Sequence, residues 1–412
     1  MSMPIETTAV MDLTPGDLDA LVEELRAYHA IYSPLFQRRE QREWAGTYLH
    51  GLLLDLPRTS IAPLVLAVEG VQPQAVRAMQ QFISEGSWDD TALLHHHWQE
   101  VDHELGEDDG VLILDGSDFP KQGLDSVGVK RQSCGELGTR ANCQAGVFLG
   151  YASRQGYTLL DRRLYVPQEW GAEVAYAERR RRCGVPKEGT FTTKPRLGWE
   201  MIQAGQQARS LRCRWVTCDE AVGRDPDLLD RIAEIGLWYF AEVPHDTRVW
   251  QQRPAMVFPT WSGQGRPPTR LRVPEAEPAP IPVAQLAAGL PAQCWRRQTI
   301  KEGSKGPLMA RFARVRVSAV REGLPGPDVW LVRRYHVGTG ELKTYLRNAP
   351  ATTALAILAW VSGMRWPIET CFEDGKQSLG MGAYEVRSWR GWHHHMTLVI
   401  LAHFFLVRRR LR

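Results

Sequence analysis

None of the seven cysteines, scattered from Cys134 to Cys371, forms a Cys-x-x-Cys pair. That excludes a zinc ribbon and, with the odd count, a disulfide framework; reduced thiols in a cytosolic setting are expected. Residues 1–6, Met-Ser-Met-Pro-Ile-Glu, hold neither a basic nor an apolar leader segment, so no signal peptide is expected. No apolar run approaches the roughly 20 residues of a membrane span. The longest, Met396 to Val407, is broken by His403. There is no internal repeat. Gly303-Ser304-Lys305-Gly306 lacks the full Gly-x-x-x-x-Gly-Lys-Ser/Thr spacing, which argues against a phosphate loop. Net charge is nearly absent too: 50 Lys and Arg against 47 Asp and Glu leave +3. Bulk charge therefore does not announce a nucleic-acid binder. Local patches matter more: Arg179 to Arg182 and Arg408 to Arg412 are basic, Glu100 to Asp109 acidic.

What is present is ordinary for a globular chain of 412 residues, with 43% hydrophobic and 24% charged side chains. Two or three domains are expected. Residues 1–108 read as a helical, DNA-binding unit. Leu18, Leu21, Val22, Leu25 and Tyr28 recur at helical spacing behind Thr14 as N-cap and Pro15 at the first helical position. Gln37 to Leu53 and Pro73 to Ile83 read as further helices. Arg38, Arg39, Arg42, Arg58 and Arg77 are either phosphate contacts or a solvated face.

Residues 109–243 change character. Val111–Asp115 is a continuous apolar run, as in a buried strand. Gln144 to Ser153 and Tyr157 to Val166 follow as a hairpin across Gly156. A helix at Leu197 to Ser210, a strand at Cys213 to Asp219, a helix at Pro226 to Ile235 and a strand at Leu237 to Val243 complete the run. Three strands, helix, strand, helix, strand is the order of an RNase H-like domain. The fold class expected is α/β: an RNase H-like mixed-sheet core with an N-terminal helical domain and a β-rich insertion. The insertion is 244–350, dense in proline from Pro254 to Pro282, with alternating runs at Ala310 to Val317 and Val329 to Val337. Residues 351–412 return to helix and carry the last part of the core.

Three carboxylates give this order a chemistry. Asp115 and Asp219 each close an apolar strand. Glu369 stands on a helix beginning near Pro367, on the same face as Phe372 and Lys376 at about 100° per residue. Breaking a phosphodiester needs an activated oxygen nucleophile and a stabilised leaving oxygen, which two Mg²⁺ ions supply. Mg²⁺ keeps several waters and needs few hard oxygen ligands. Asp115 would bridge the ions, Asp219 hold one and Glu369 the other. Asp118, Glu220 and Glu373 are the competing carboxylates. The triplets His95-His96-His97 and His393-His394-His395 point in different directions on a helix, and a structural or phosphate-binding role is expected rather than a metal site.

At these residues the chain resembles the DDE-superfamily insertion-sequence transposases. Their cut-and-paste branch carries Tyr, two residues, Arg, three residues, Glu, six residues, Lys. Arg365, Glu369 and Lys376 fit, while Ser362 takes the tyrosine position. Asp115 to Gly123, Ser126 to Gln132, Asn142 to Gln144, Asp161 to Tyr165 and Thr193 to Pro195 are similar to the group numbered seven hundred and one. The resemblance implies a bacterial, nucleoid-associated enzyme using two Mg²⁺ ions, with Mn²⁺ as a substitute. Its partners would be duplex DNA, as terminal inverted repeats and as target, and a second copy of itself in a synaptic complex. A silent DNA-binding relative and a nuclease without strand transfer share the same residues. Arg365, Lys376, Lys121 and Lys130 would contact phosphate, and Trp250 or Trp261 would stack a flipped base.

Overall fold

The structure is a computed structural model that describes residues 15–186, 191–208, 210–261, 263–303 and 306–412. Thr14, the expected N-cap, and Ser304 and Lys305 lie outside the described residues. Five helices come first: α1 (Pro15–Tyr32), α2 (Arg39–Leu52), α3 (Ile61–Glu69), α4 (Pro73–Ser84) and α5 (Asp90–Leu105). Local chemistry sets their ends. Pro73 sits in the first turn of α4, and Asp89 caps α5 by accepting from the Thr91 and Ala92 N–H groups at 2.9 and 3.1 Å.

Next come β1 (Val111–Pro120), β2 (Lys130–Cys134), β3 (Thr139–Ala152) and β4 (Tyr157–Tyr165). Helices α6 (Gln168–Ala172), α7 (Ala177–Cys183) and α8 (Lys194–Ala208) lead to β5 (Trp215–Cys218). Then α9 (Glu220–Gly223) and α10 (Pro226–Glu234) precede β6 (Trp238–Glu242). The proline-rich stretch supplies β7 (Arg248–Trp250), β8 (Ile281–Pro282), α11 (Val283–Ala288), β9 (Arg296–Lys301), β10 (Leu308–Arg321), β11 (Leu324–His336) and β12 (Leu342–Arg347). The chain ends in α12 (Leu355–Gly363), α13 (Trp366–Ser378) and α14 (Trp389–Leu411).

Among the described residues the twelve strands form one mixed sheet, ordered β2-β3-β1-β5-β6-β12-β11-β10-β7-β8, with β4 on β3 and β9 on β10. Strand β1 is antiparallel to β3 and parallel to β5, and β5 is parallel to β6. That is the expected RNase H-like core, antiparallel on one side of β1 and parallel on the other. Strand β12 then pairs antiparallel with β6, so the sheet runs on without an open edge there.

One boundary differs from expectation. Strand β1 does not stop at Asp115 but stays paired with β3 as far as Pro120 opposite Cys143. Asp115 therefore sits mid-strand, held on the β3 side, and is more rigid than a strand-end residue. Strands β2 and β9 escaped the sequence reading because they are half-exposed and charged, and β12 because Lys343 and Arg347 interrupt its apolar pattern.

Helix α14 is enclosed by α2, α4, α5 and β4 and is buried along most of its length. Despite its length, no described helix is long and apolar enough to cross a membrane. Packing between layers is tight. A Cβ placed on Gly205 of α8 would lie 1.6 Å from the Trp98 ring of α5. We expect Gly205→Ala to cost about 1–3 kcal/mol through overpacking. Urea unfolding would read this as a lower midpoint with an unchanged slope, and an unshifted midpoint would contradict the contact.

Candidate active site

Strand register builds the site. Leu114 lies opposite Cys218, and Cys218 opposite Ala241. The next residue on each strand is acidic: Asp115, Asp219 and Glu242. Equivalent positions on parallel neighbours project to one face, so three carboxylates form a row across β1, β5 and β6. Leu114, on the opposite face, packs toward Gly198 of α8. Helix α13 covers the acidic face. Its Ile368 packs close over Gly150 of β3, where a Cβ would be 3.2 Å away, and this brings Glu369 of the first turn toward the row.

Arg365 ties the groups together. Its Nη1 is 3.1 Å from Asp115 Oδ2, its Nη2 2.6 Å from Glu369 Oε1, and its Nε 3.9 Å from Glu242 Oε2. Lys343 Nζ lies 3.1 Å from Glu242. Asp219 caps α9, accepting from the Val222 N–H at 3.0 Å, and Asp115 Oδ1 accepts from the Gly116 N–H at 2.7 Å.

The electrostatics follow from this crowding. Burial, and then the Asp219 charge, push the Asp115 carboxyl up to about 7, although Arg365 pulls it down. Burial works against the Arg365 charge, but Asp115, Glu369, Glu242 and Asp219 outweigh it, and its pKa rises. A carboxylate forced toward neutrality by burial and by a neighbouring carboxylate, among hard oxygen donors, fits a divalent cation. The fit is not closed here. Among the described residues no three His, Cys, Asp or Glu side chains stand together as a ligand set. The Arg365 guanidinium bridges Asp115 and Glu369 and carries the positive charge they require.

The other expected contacts fare differently. Lys376 lies near the site but donates to the Asp118 carbonyl at 3.1 Å and pairs with Glu136. Lys130 pairs with Glu169. Lys121 is half-buried, 3.4 Å from the Tyr384 ring centroid, and donates to the Tyr384 carbonyl at 3.0 Å. Burial lowers its pKa to about 8, so it is a weaker cation than a free lysine. Trp250 is corrected. Its ring is 2% exposed and its Nε1 donates to the Pro278 carbonyl at 3.0 Å, which leaves no face for a base. Trp261 is half-exposed, with Nε1 bonded to the Gln264 and Gly265 carbonyls. Among the competing carboxylates, Asp118 accepts from the Gly135 N–H at 2.7 Å. Glu373 accepts from Gln377 at 3.2 Å.

The C-terminal histidine triplet is structural. His393 and His394 bond to the Trp389 and Ile83 carbonyls, each at 2.9 Å, and His395 to the Tyr48 hydroxyl at 2.8 Å. Sequence reasoning missed Glu242 and Lys343. The available signal was Glu242 closing an apolar strand just as Asp219 does.

Over residues 32–307 the chain matches the family model described as DDE superfamily endonuclease. The match takes in Asp115, Asp219 and Glu242 and ends before α13. No curated protein matches the chain.

Proposed function

The chain belongs to the DDE superfamily of endonucleases, and from that premise we propose that it is a cut-and-paste DNA transposase. The observation that carries this reading is the carboxylate row of Asp115 and Asp219 with Glu369 brought over it by α13. Asp115, Asp219 and Glu369 would hold two Mg²⁺ ions, or Mn²⁺ in their place. Bound there, the ions would supply an activated nucleophile and stabilise the leaving oxygen.

The chain's own residues do the rest. Arg365 fixes the Asp115 and Glu369 carboxylates in one orientation and is the cation nearest an incoming phosphate. Lys343 holds Glu242 at the flank of the row. Asp115, with its pKa near neutrality, gives up a proton at Oδ as the site becomes charged.

In the first step a water oxygen forms a bond to phosphorus at the element's end. The phosphorus–O3′ bond breaks, and the freed 3′-oxygen takes up the proton that the attacking water gives up. In the second, that 3′-hydroxyl attacks a target phosphodiester, exchanging one P–O bond for another with no outside energy source. The enzyme acts as a dimer on paired inverted repeats and target duplex, in the bacterial cytoplasm at the nucleoid. Residues 1–108 recognise the repeat and Trp261 remains the candidate for base stacking.

Duplexes carrying the two ends of the encoding element, incubated with Mg²⁺ and a target plasmid, test this. Cleaved ends and joined product are expected. Cleaved ends that never join would reduce the reading to a nuclease. Binding without cleavage under Mg²⁺ or Mn²⁺ would leave a DNA-binding relative.

A further inference from the structure

The face that carries the carboxylates continues outward across the sheet. Glu242 is opposite Tyr345, Tyr345 opposite Val332, and Val332 opposite Arg314. Two residues away along each strand, Phe240 is opposite Arg347, Arg347 opposite Trp330, and Trp330 opposite Arg316. Directly paired residues share a face. Arg314, Arg316, Trp330 and Arg347 therefore stand on the side of the sheet that holds Asp115.

These four side chains form one cluster. The guanidinium carbons of Arg314, Arg316 and Arg347 lie 5.3, 5.5 and 5.3 Å from the Trp330 ring centroid. Arg347 is fully buried. Its Nη1 donates to the Ala349 and Pro350 carbonyls at 2.8 and 3.2 Å, while its Nε and Nη2 have no acceptor among the described residues. Arg314 reaches the Ala351 and Thr353 carbonyls only at 3.4 and 3.3 Å. Arg314 and Arg316 are exposed.

Among the described residues none of the three arginines has an ion-pair partner within 4.0 Å. Asp328 feels the Arg316 charge, but its carboxylate is taken by Arg253 at 3.0 Å and by Ser318. Burial, and then Arg314 and Arg316, lower the Arg347 pKa to about 10. Three crowded like charges, one of them buried, are costly without a counter-charge. Arg365, at the other end of the same face, has its acids; this cluster has none. The missing anion must come from outside the chain.

The sheet itself indicates which anion. From Asp115 to Arg314 there are five strand-to-strand steps, about 24 Å at ordinary strand spacing. A duplex laid along this face with its scissile phosphate at the carboxylates would reach the cluster after about seven base pairs. Guanidinium groups set against an indole are held flat and offer their N–H edges to phosphate oxygens. We propose that Arg314 and Arg316, set against Trp330 and backed by Arg347, clamp the sugar-phosphate backbone of duplex DNA about seven base pairs from the bond that is cut. The proposal rests on the transposase reading only in taking DNA as the substrate.

The test is duplex binding as a function of salt, with a labelled mixed-sequence duplex of about 40 base pairs, long enough to pass well beyond the cluster. The proteins are wild type, the double variant Arg314→Gln/Arg316→Gln, and Arg314→Lys/Arg316→Lys. The glutamine pair should make the slope of log K against log salt shallower by about 2 and weaken binding roughly 60-fold at 0.1 M salt. The lysine pair should keep the slope. A glutamine pair with wild-type slope and affinity overturns the clamp alone, and the face would then belong to an acidic protein partner or to none. A wild type that does not bind the duplex overturns both the clamp and the DNA reading.

Discussion

Asp115→Asn, Asp219→Asn and Glu369→Gln are each expected to lower DNA cleavage in Mg²⁺ by about 10³-fold or more, because each removes several kcal/mol of charge stabilisation. Duplex binding should survive, since none of the three is a cation. Glu242→Gln should cost less, about 10- to 100-fold, as its carboxylate holds Lys343 and flanks Arg365. Single-turnover cleavage separates these cases. An active Glu369→Gln beside a dead Glu242→Gln would move the third carboxylate from α13 to β6.

The same site makes a pH prediction. Asp115 titrates at about 7 when folded, against an unperturbed 3.8. The folded state therefore holds a proton that the unfolded state releases. This group's contribution to stability is complete below 3.8 and is lost as pH rises through 7. Asp115 would have to release that proton to hold a divalent ion, so binding of the ion would carry the opposite pH dependence. Below pH 7 the site's affinity for the ion should fall about tenfold per pH unit. Mg²⁺ should thus raise the melting temperature more at pH 8 than at pH 6, and Asp115→Asn should abolish the difference. Equal shifts at both pH values would separate Asp115 from the metal.

The candidate catalytic acids were legible because local rules place them. An acid at the end of an apolar run marks Asp115 and Asp219, and the spacing of Arg365, Glu369 and Lys376 marks one helix. Glu242 obeys the same rule but gains meaning only through register, when β6 lines up beside β5. Register is a nonlocal property. Burial is another, and it decided Trp250 and lowered the charge strength of Lys121. Lys121 packs half-buried on Tyr384, which lies 263 residues away, and Trp250 is buried by a proline-rich strand connection. Arg347 was illegible for the same reason, since a charge in a strand reads as exposed until the sheet closes over it. The histidine triplet was correctly read as pointing in several directions. Its burial was not foreseen, because that depends on α2, α4 and β4 meeting α14 on all sides.

That burial carries the second large effect, which is acid unfolding. Burial lowers His97, His394 and His403 to about 4 and His393 and His395 to about 3. Each is neutral in the folded protein and takes up a proton on unfolding below about 6.5. A lowered histidine pKa means that stability is full above 6.5 and declines as pH falls toward 4 or 3. Each group contributes about 1.4 kcal/mol per pH unit in that window, and the opposite slope of Asp115 cancels about one of them. The net loss is about 5 kcal/mol per pH unit near pH 5, against a total stability of about 5–15 kcal/mol. Cooperative unfolding near pH 5 is expected by circular dichroism. His403→Gln, which keeps a polar group beside Thr158, should move the midpoint to lower pH. A fold that holds to pH 4 with flat stability would mean that these histidines charge without unfolding the chain, and that α14 is less tightly enclosed than its packing implies.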